Sequence, residues 1–271
     1  MNPRENDSAK RSSRSPGSPR RGRFRGVLQI IRFNWPQYAA GVSAAALSVV
    51  ALRFVPMPVS MRLVIWIGAF LAVFWTGSSL VVSHWVYDRA GIYQLQWIKA
   101  AFPRVPSRWV NLHAGFDEFT IGLRALFPTS HGAVWDFENA RVMTEPSIAR
   151  ARRMTTGAPR ALKVNHAALP EQDGAFDAVF LIFAAHELRL RESRAQLFSE
   201  LFRTLKPAGA LLLQEHLRDS PNAIAFGIGA LHFLGRVEWL RAAGAAGFNL
   251  EREFSITPFV RVFLFRKPYD A

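Results

Sequence analysis

The sequence predicts an α/β fold with a mostly parallel sheet, preceded by two transmembrane helices. Three patterns support this prediction: short apolar runs alternate with helical patterns from Arg108 onward, two long apolar stretches come before residue 85, and two alternating runs lie near the C-terminus. Alternation of strands and helices is typical of a parallel sheet with helices on both faces. The two alternating runs, 249–255 and 259–266, predict a terminal antiparallel strand pair.

The period of the apolar residues defines the elements of the α/β part. The chain has 271 residues, of which 50% are hydrophobic, so both faces of a sheet can be covered by apolar side chains. It contains no cysteine, which excludes disulfides and thiolate chemistry. The predicted strands are 109–114, 133–136, 161–165, 177–183 and 210–215, and the predicted helices are 147–154, 191–205 and 236–246.

The two apolar stretches are candidates for a transmembrane hairpin. Residues 38–55 and 63–82 are each close to the ~20 residues that cross about 30 Å of hydrocarbon. Pro56, Pro58 and Arg62 predict a tight turn between the two spans. Two buried helices of a soluble domain are the alternative interpretation.

Basic residues are concentrated before these stretches. Residues 1–35 hold nine Arg or Lys and two acidic residues, a net charge of +7 and half of the total of +14. A basic run in this position favours a lipid bilayer as partner over nucleic acid, with both termini on the cytoplasmic side of the inner membrane. Residues 1–23 are predicted to be disordered. We interpret 24–35 as an interfacial helix or a linker, and 86–107 as a juxtamembrane helix followed by a linker.

Two motifs in the stretch 168–215 have a specific spacing. The first leads into the fourth predicted strand and the second into the fifth, and their residues are Leu169, Pro170, Gly174, Phe176 and Asp177, then Arg203, Leu205, Lys206, Pro207 and Gly209. They resemble the class I S-adenosylmethionine-dependent methyltransferases, especially the small-molecule and quinone-type group. The resemblance covers roughly residues 108–267. It implies a Rossmann-like, seven-stranded sheet, S-adenosylmethionine as cofactor and methyl transfer to a small-molecule acceptor.

The resemblance also implies a cofactor loop after the first strand. Gly115 matches the central glycine of that loop, and Asn111 and His113 precede it. His113 and Asp117 stand where the family usually has its outer glycines, which is a departure from the pattern. We expect Asn111, His113 and Gly115 to contact the cofactor.

Further cofactor contacts are expected where the next strands end, because open α/β sheets bind ligands there. Asp136 lies 21 residues after Gly115, close to the spacing at which an acid binds ribose hydroxyls. Phe137 is expected against the adenine and Asn165 at its edge, where the family usually has Asp. Phe183 follows the fourth strand and is also assigned to the cofactor site.

His186 is the candidate catalytic residue. Its ordinary pKa lies near neutrality, so it could act as a general base on a hydroxyl or amine acceptor. A histidine that only caps the next helix is the alternative. The polar stretch 214–222 either orients an acceptor or forms internal salt bridges, and the apolar stretch 223–234 is too short to span a membrane. The sequence has no spacing typical of a metal site.

These observations predict a membrane-anchored methyltransferase with a small, lipid-soluble acceptor. The altered glycine loop leaves a non-catalytic, membrane-tethered Rossmann-like module as the alternative. A dinucleotide-dependent enzyme is disfavoured because no G-x-G-x-x-G follows the first strand.

Overall fold

A computed structural model of the chain describes residues 22–102, 104–139, 143, 145–154 and 160–270. The predicted disordered tail lies outside them up to residue 21. The helices within these ranges are α1 (Arg25–Phe54), α2 (Val59–His84), α3 (Gln96–Ala101), α4 (Thr120–Leu126), α5 (Pro146–Met154), α6 (Arg191–Thr204), α7 (Ser220–Phe226) and α8 (Arg236–Ala245). The strands are β1 (Arg108–His113), β2 (His131–Asp136), β3 (Leu162–Lys163), β4 (Phe176–Ile182), β5 (Leu205–Glu215), β6 (Asn249–Thr257) and β7 (Val260–Arg266).

The described strands form one seven-stranded sheet in the order β3-β2-β1-β4-β5-β7-β6. All neighbouring pairs from β3 to β5 are parallel, and β7 is antiparallel to both β5 and β6. The predicted fold class and the terminal antiparallel pair are therefore confirmed. Most predicted boundaries differ from the observed ones by one or two residues. The larger differences are that β3 has only two residues and that β5 begins at Leu205, ahead of an irregularity in which Ala208 has a φ of +61°.

Two hydrophobic cores cover the two faces of the sheet. Successive residues of β4 point to opposite faces, so Val179 and Leu181 join one core and Phe180 and Ile182 join the other. Helices α6 and α8 cover the first face. The second face is covered by α4 and by the chain that follows α2.

The segment predicted as a juxtamembrane linker belongs to this second core. Val86, Ile92, Leu95 and Ile98 are each at most 1% exposed. A π-helical turn from Trp85 to Arg89 leads the chain out of α2 and onto the sheet. The sequence did not predict this packing because the apolar residues of the segment do not follow a helical or strand period over a sufficient length.

The same turn fixes the beginning of α1. Asp88 accepts hydrogen bonds from the backbone N–H groups of Gly26 and Val27, at 2.6 and 3.0 Å. The first N–H groups of a helix have no partner within the helix, so a carboxylate at this position satisfies them. Asp88 also contacts His84 Nδ1 at 3.0 Å. The N-terminus of α1 is thus tied to the C-terminus of α2.

Helices α1 and α2 form a close antiparallel hairpin. Tyr38 and Ser79 share a hydrogen bond of 3.1 Å, and a Cβ on Gly41 would lie 2.6 Å from Thr76 Oγ1. Helix α1 is kinked at Asn34, two residues before Pro36, whose ring clashes with the preceding turn of a regular helix. The predicted interfacial segment is therefore the helical arm ahead of this kink.

Both hairpin helices are long and apolar enough to cross a membrane. Only 6% of the residues are buried in the most apolar window of each helix. A core helix of a soluble domain would be mostly buried, so within the described residues this alternative loses its main support. The apolar surface of the hairpin faces outward.

Candidate active site

The carboxyl ends of β1, β2, β4 and β5 meet where the strand order reverses between β1 and β4. Ligands of open α/β sheets bind at such a switch point. Asn165 follows the edge strand β3, is exposed, and uses its Oδ1 to accept a hydrogen bond from Ala167 N at 3.0 Å. The other predicted site residues lie near the carboxyl ends of the central strands or follow them: Asn111, His113, Gly115, Asp136, Phe137, Phe183 and His186.

Asn111 and Asp117 shape the loop between β1 and α4. The Asn111 amide donates to Asp117 Oδ1 at 3.2 Å and to Thr120 Oγ1 at 2.8 Å. Asp117 Oδ1 also accepts from the backbone N–H groups of Phe119 and Thr120, both at 3.0 Å, at the beginning of α4. Both amide hydrogens of Asn111 are therefore used inside the loop. These contacts give Asn111 a structural role ahead of the predicted cofactor contact.

Gly115 and Asp136 contact each other directly. Gly115 has a φ of +82°, a conformation that glycine adopts without strain, and its N–H donates to Asp136 Oδ1 at 2.8 Å. Glu138 N donates to the same oxygen at 2.9 Å. Asp136 Oδ2 pairs with Lys163 Nζ at 2.7 Å, and the Lys163 side chain is 61% exposed. The buried carboxylate thus fixes the loop with one oxygen and turns the other towards a largely exposed partner.

Arg152 from α5 covers this loop. Its Nη1 pairs with Glu138 Oε1 at 2.8 Å, and its Nε lies against Gly115 where a Cβ would collide with it. The Nε and Nη2 atoms of Arg152 are buried and have no hydrogen-bond partner in the described structure. No motif in the sequence marks Arg152, since its position depends on how α5 returns to the sheet.

Further buried polar atoms around the loop also lack partners. Both ring nitrogens of His113 and the Oδ2 of Asp117 have none among the described residues. Burial lowers the pKa of His113, so the ring is neutral there. Buried polar groups are almost always hydrogen-bonded, so such a cluster indicates a polar ligand or water. Its donors and acceptors suit a small zwitterion that carries hydroxyl groups.

His186 lies between two buried carboxylates. Its Nδ1 contacts Glu215 Oε2 at 2.7 Å, and its Nε2 contacts Glu187 Oε1 at 3.2 Å. Burial opposes protonation of the ring, but Glu215 and Glu187 outweigh it and raise the pKa of His186 to about 10. The ring therefore holds a proton at neutral pH. We call His186, Glu187 and Glu215 the proton cluster.

This geometry changes the role predicted for His186. An imidazolium cannot accept a proton, so the free histidine base expected from the sequence is not present in the resting state. Glu187 is 2% exposed, and apart from the 3.2 Å contact of Oε1 with His186 Nε2, its oxygens have no partner among the described residues. Glu187 is therefore the member of the cluster whose oxygens can accept a further hydrogen bond or a proton.

His232 stands beside the proton cluster. Its ring lies 5.3 Å from that of His186, and ligand-type atoms of His186, Glu187 and His232 come within 4.8 Å of one another. Burial, and then the charges of His186 and Arg189, lower the pKa of His232 to about 3. Arg189 donates to the His232 ring and carbonyl. This guanidinium lies against both ring nitrogens of His232.

An aromatic wall, formed by Tyr87, Phe183, His216 and Phe233, borders the cluster. Phe183 has a φ of +50°, which is strained for a residue with a side chain, and its ring stacks on His216 at 5.1 Å. Phe233 stacks on His216 at 4.9 Å. Tyr87 OH donates to His216 Nε2 at 2.8 Å, because His216 Nδ1 carries the hydrogen given to Phe259 O. Burial lowers the pKa of His216 to about 4 and keeps this tautomer neutral.

Comparison with known proteins identifies the fold and the chemistry. A family model described as a methyltransferase domain matches residues 138–213, from the end of β2 to β5, including Phe183, His186 and Glu187. The chain carries a methyltransferase domain. The predicted enzyme class, an S-adenosylmethionine-dependent methyltransferase, and its cofactor are thereby confirmed. The chain has no match among curated protein sequences.

Solved structures with the same fold are distant in sequence. The pyocyanin biosynthetic protein PhzM is 14% identical, with a TM-score of 0.54 over 89% of this chain and 72% of that chain. An S-adenosylmethionine-dependent methyltransferase from Aquifex aeolicus is 16% identical, with a TM-score of 0.47 over 67% of this chain and 94% of that chain. At 14% identity and a TM-score above 0.5, the likeness to PhzM shows the fold alone.

The residues around the methyltransferase domain's cofactor loop fit S-adenosylmethionine. The guanidinium of Arg152 suits the carboxylate of the amino-acid end, and Asp117 Oδ2 suits its amine. Asp136 Oδ2 remains the candidate for the ribose. Phe137 is 1% exposed and packs in the first core, and its predicted adenine contact stays a prediction.

Several residues of the site escaped the sequence analysis. Glu215 could have been found, because a buried strand that ends in Gln-Glu-His is unusually polar. Arg152 and Tyr87 could not, because each comes from an element distant in the sequence from the strand ends that it covers.

Proposed function

We propose that this chain is a membrane-anchored methyltransferase that methylates a hydroxyl group on a small, lipid-soluble acceptor. The proton cluster is the observation that carries the proposal, because a hydroxyl must lose its proton when it is methylated. Bound S-adenosylmethionine supplies the methyl group on a positively charged sulfur. The chain positions the reactants and takes up the proton.

The proton cluster can accept that proton without losing its structure. It holds two carboxylates and one imidazolium, and so one net negative charge. Burial alone would raise the pKa of Glu187, but His186 outweighs it and lowers that pKa. Glu215 holds the other side of the ring through Nδ1, which fixes its orientation. We assign the hydroxyl proton to Glu187, with His186 positioned to donate a hydrogen bond.

The hairpin supports a lipid-soluble acceptor. Its outward surface is apolar, and the basic segment before it favours a cytoplasmic catalytic domain at an anionic membrane. Tyr87, which follows α2 directly, forms part of the aromatic wall beside the proton cluster. The anchor and the site are therefore one structure, so an acceptor dissolved in the bilayer has a short path to Glu187.

Transfer of a labelled methyl group tests this proposal. Membranes containing the full chain are incubated with methyl-tritiated S-adenosylmethionine, and the organic extract is separated from protein and aqueous fractions. We expect label in the organic extract, reduced roughly 10²- to 10⁴-fold by Glu187→Gln or His186→Gln. Glu192→Gln, an exposed acid at the beginning of α6, is the matched control and should retain activity.

Other distributions of the label have definite meanings. Label confined to protein or aqueous fractions would contradict the lipid-soluble acceptor and leave the anchor a role in localisation. Label in no fraction, from a chain that binds S-adenosylhomocysteine, would support the non-catalytic module instead.

A further inference from the structure

An apolar ridge stands beside the hairpin on the catalytic domain. Its members, Ile224, Ile228 and Leu231, are 64%, 80% and 66% exposed. We propose that this ridge lies in the lipid bilayer as a contact additional to the hairpin, and that the segment 220–234 forms a cover between the bilayer and the acceptor site. The inference rests on the proposed membrane anchoring.

The depth of the ridge follows from its contacts with α2. Ser78 Oγ donates to the Ala225 carbonyl at 2.7 Å. Gly227, with a φ of +54°, packs on the Trp75 ring, and a Cβ there would lie 2.5 Å from it. Charged Arg62 marks the outer end of the span. At ~1.5 Å per residue Ser78 lies about 24 Å from Arg62, inside the ~30 Å hydrocarbon thickness.

The segment beside Ser78 and Trp75 must therefore lie at the depth of the inner leaflet. A surface at that depth meets lipid unless protein covers it, and the ridge belongs to a segment that packs on α2, which itself carries exposed apolar residues. Arg218, just before the segment, is exposed and can meet anionic headgroups. Contact with the hairpin and this flanking charge favour the bilayer as the occupant.

The inner side of the same segment faces the active site. Phe226 and Phe233 contact the His216 ring, with centroids 5.9 and 4.9 Å apart. His232 lies 5.3 Å from His186. One layer of chain therefore separates the ridge from the proton cluster. An acceptor that leaves the bilayer under this cover arrives directly at His186.

Site-specific quenching tests the position of the ridge. The native chain has no cysteine, so a single introduced cysteine carries one fluorescent label. Ile228→Cys reports on the ridge and Val73→Cys on the hairpin. Val105→Cys is the matched control: it is 61% exposed, like Val73, and precedes the N-terminal end of β1, opposite the strand ends at which the site lies. The full-length variants are reconstituted into vesicles of phosphatidylcholine and phosphatidylglycerol.

Quenching by spin-labelled lipid and by iodide distinguishes the outcomes. We expect the label at 228 to behave like that at 73, quenched by lipid and shielded from iodide, and the label at 105 to behave in the opposite way. If the label at residue 228 behaves like the label at 105 while the label at 73 is quenched by lipid, the ridge does not lie in the bilayer. That result would overturn this inference but not the membrane anchor. Shielding of 228 from both quenchers would indicate a protein partner and would also overturn this inference. Exposure of 73 to iodide would overturn the membrane anchor itself.

Discussion

Asp136 serves the fold and a ligand with different oxygens. Its Oδ1 accepts the backbone amides of Gly115 and Glu138, while Oδ2 is paired only with an exposed lysine, Lys163. The lysine side chain is largely exposed, whereas the two amides belong to the loop backbone. Oδ2 is therefore the atom available to a ribose hydroxyl. Because of the two amide hydrogen bonds, the Asp136 carboxylate contributes more to the stability of the loop than a solvent-exposed carboxylate at the end of a strand would.

Replacing Asp136 separates these two roles. Asp136→Asn keeps an oxygen for the two amides but removes the charge, and we expect affinity for S-adenosylhomocysteine to fall by about 1.5–3 kcal/mol in calorimetry, the scale of a hydrogen bond to a charged group. Asp136→Ala should also lower the free energy of unfolding, by about 1–3 kcal/mol for each orphaned amide. Unchanged affinity in a folded Asp136→Asn protein would remove the ribose assignment.

The pKa values of His186 and His216 should be shifted in opposite directions from the ordinary value of histidine. With pKa values of about 10 and about 4, His186 should be protonated and His216 neutral at pH 7, which nitrogen NMR of the rings can read. The pKa of His186 is raised from 6.5 on folding, so its stabilisation is complete below about pH 6.5 and is lost as pH rises through about 10. The excess in Tm of the native chain over His186→Gln should therefore shrink between those pH values. A neutral His186 ring at pH 7 would contradict the proton cluster.

At the scale of elements, the chain between the hairpin and β1 is part of the catalytic domain. Ile98 on α3 is completely buried in the second core, which the sheet, α4 and this segment share. The methyltransferase domain therefore begins before β1. A protein that starts at residue 108 would keep α4 but leave part of the second face of its sheet uncovered.

Truncating one side chain measures this packing. Ile98→Ala should lower the free energy of unfolding by about 2–5 kcal/mol, as for other buried aliphatic side chains. Ile121→Ala, at an exposed position on α4, is the matched control and should change it by less than about 0.5 kcal/mol. Chemical denaturation of the two variants supplies the comparison. Equal, small effects would mean that the segment is a linker after all.

At the scale of the whole molecule, the hairpin predicts where both ends of the chain lie. The net charge of +7 before the hairpin exceeds that of its turn, where Arg53 and Arg62 lie. By the positive-inside rule, reporters fused to the N-terminus and after Ala271 should both be cytoplasmic. An external C-terminal reporter, with a soluble fusion as control, would contradict the two-span topology.

The fold was predictable where a residue pattern reports directly on backbone structure. Apolar period and the turns at Gly174 and Pro207 locate the central strands, because a buried parallel strand needs a continuous apolar run. The site was predictable only in part. Asp136 and His186 follow strands, so topology brings them to the ligand edge, whereas the charge state of His186 depends on Glu215, which is distant in the sequence. No local sequence pattern predicts the packing of the hairpin against the catalytic domain.

Binding of S-adenosylhomocysteine to the full-length chain tests the central claim most directly, namely that the edge formed by β1 and β2 is a cofactor site. Isothermal titration calorimetry of the detergent-solubilised protein should show binding at one site, with no binding of NAD under the same conditions. The loop around Gly115 has unpartnered buried groups that such a ligand would satisfy. Absence of binding by a folded chain, or equal binding of NAD, would contradict the account.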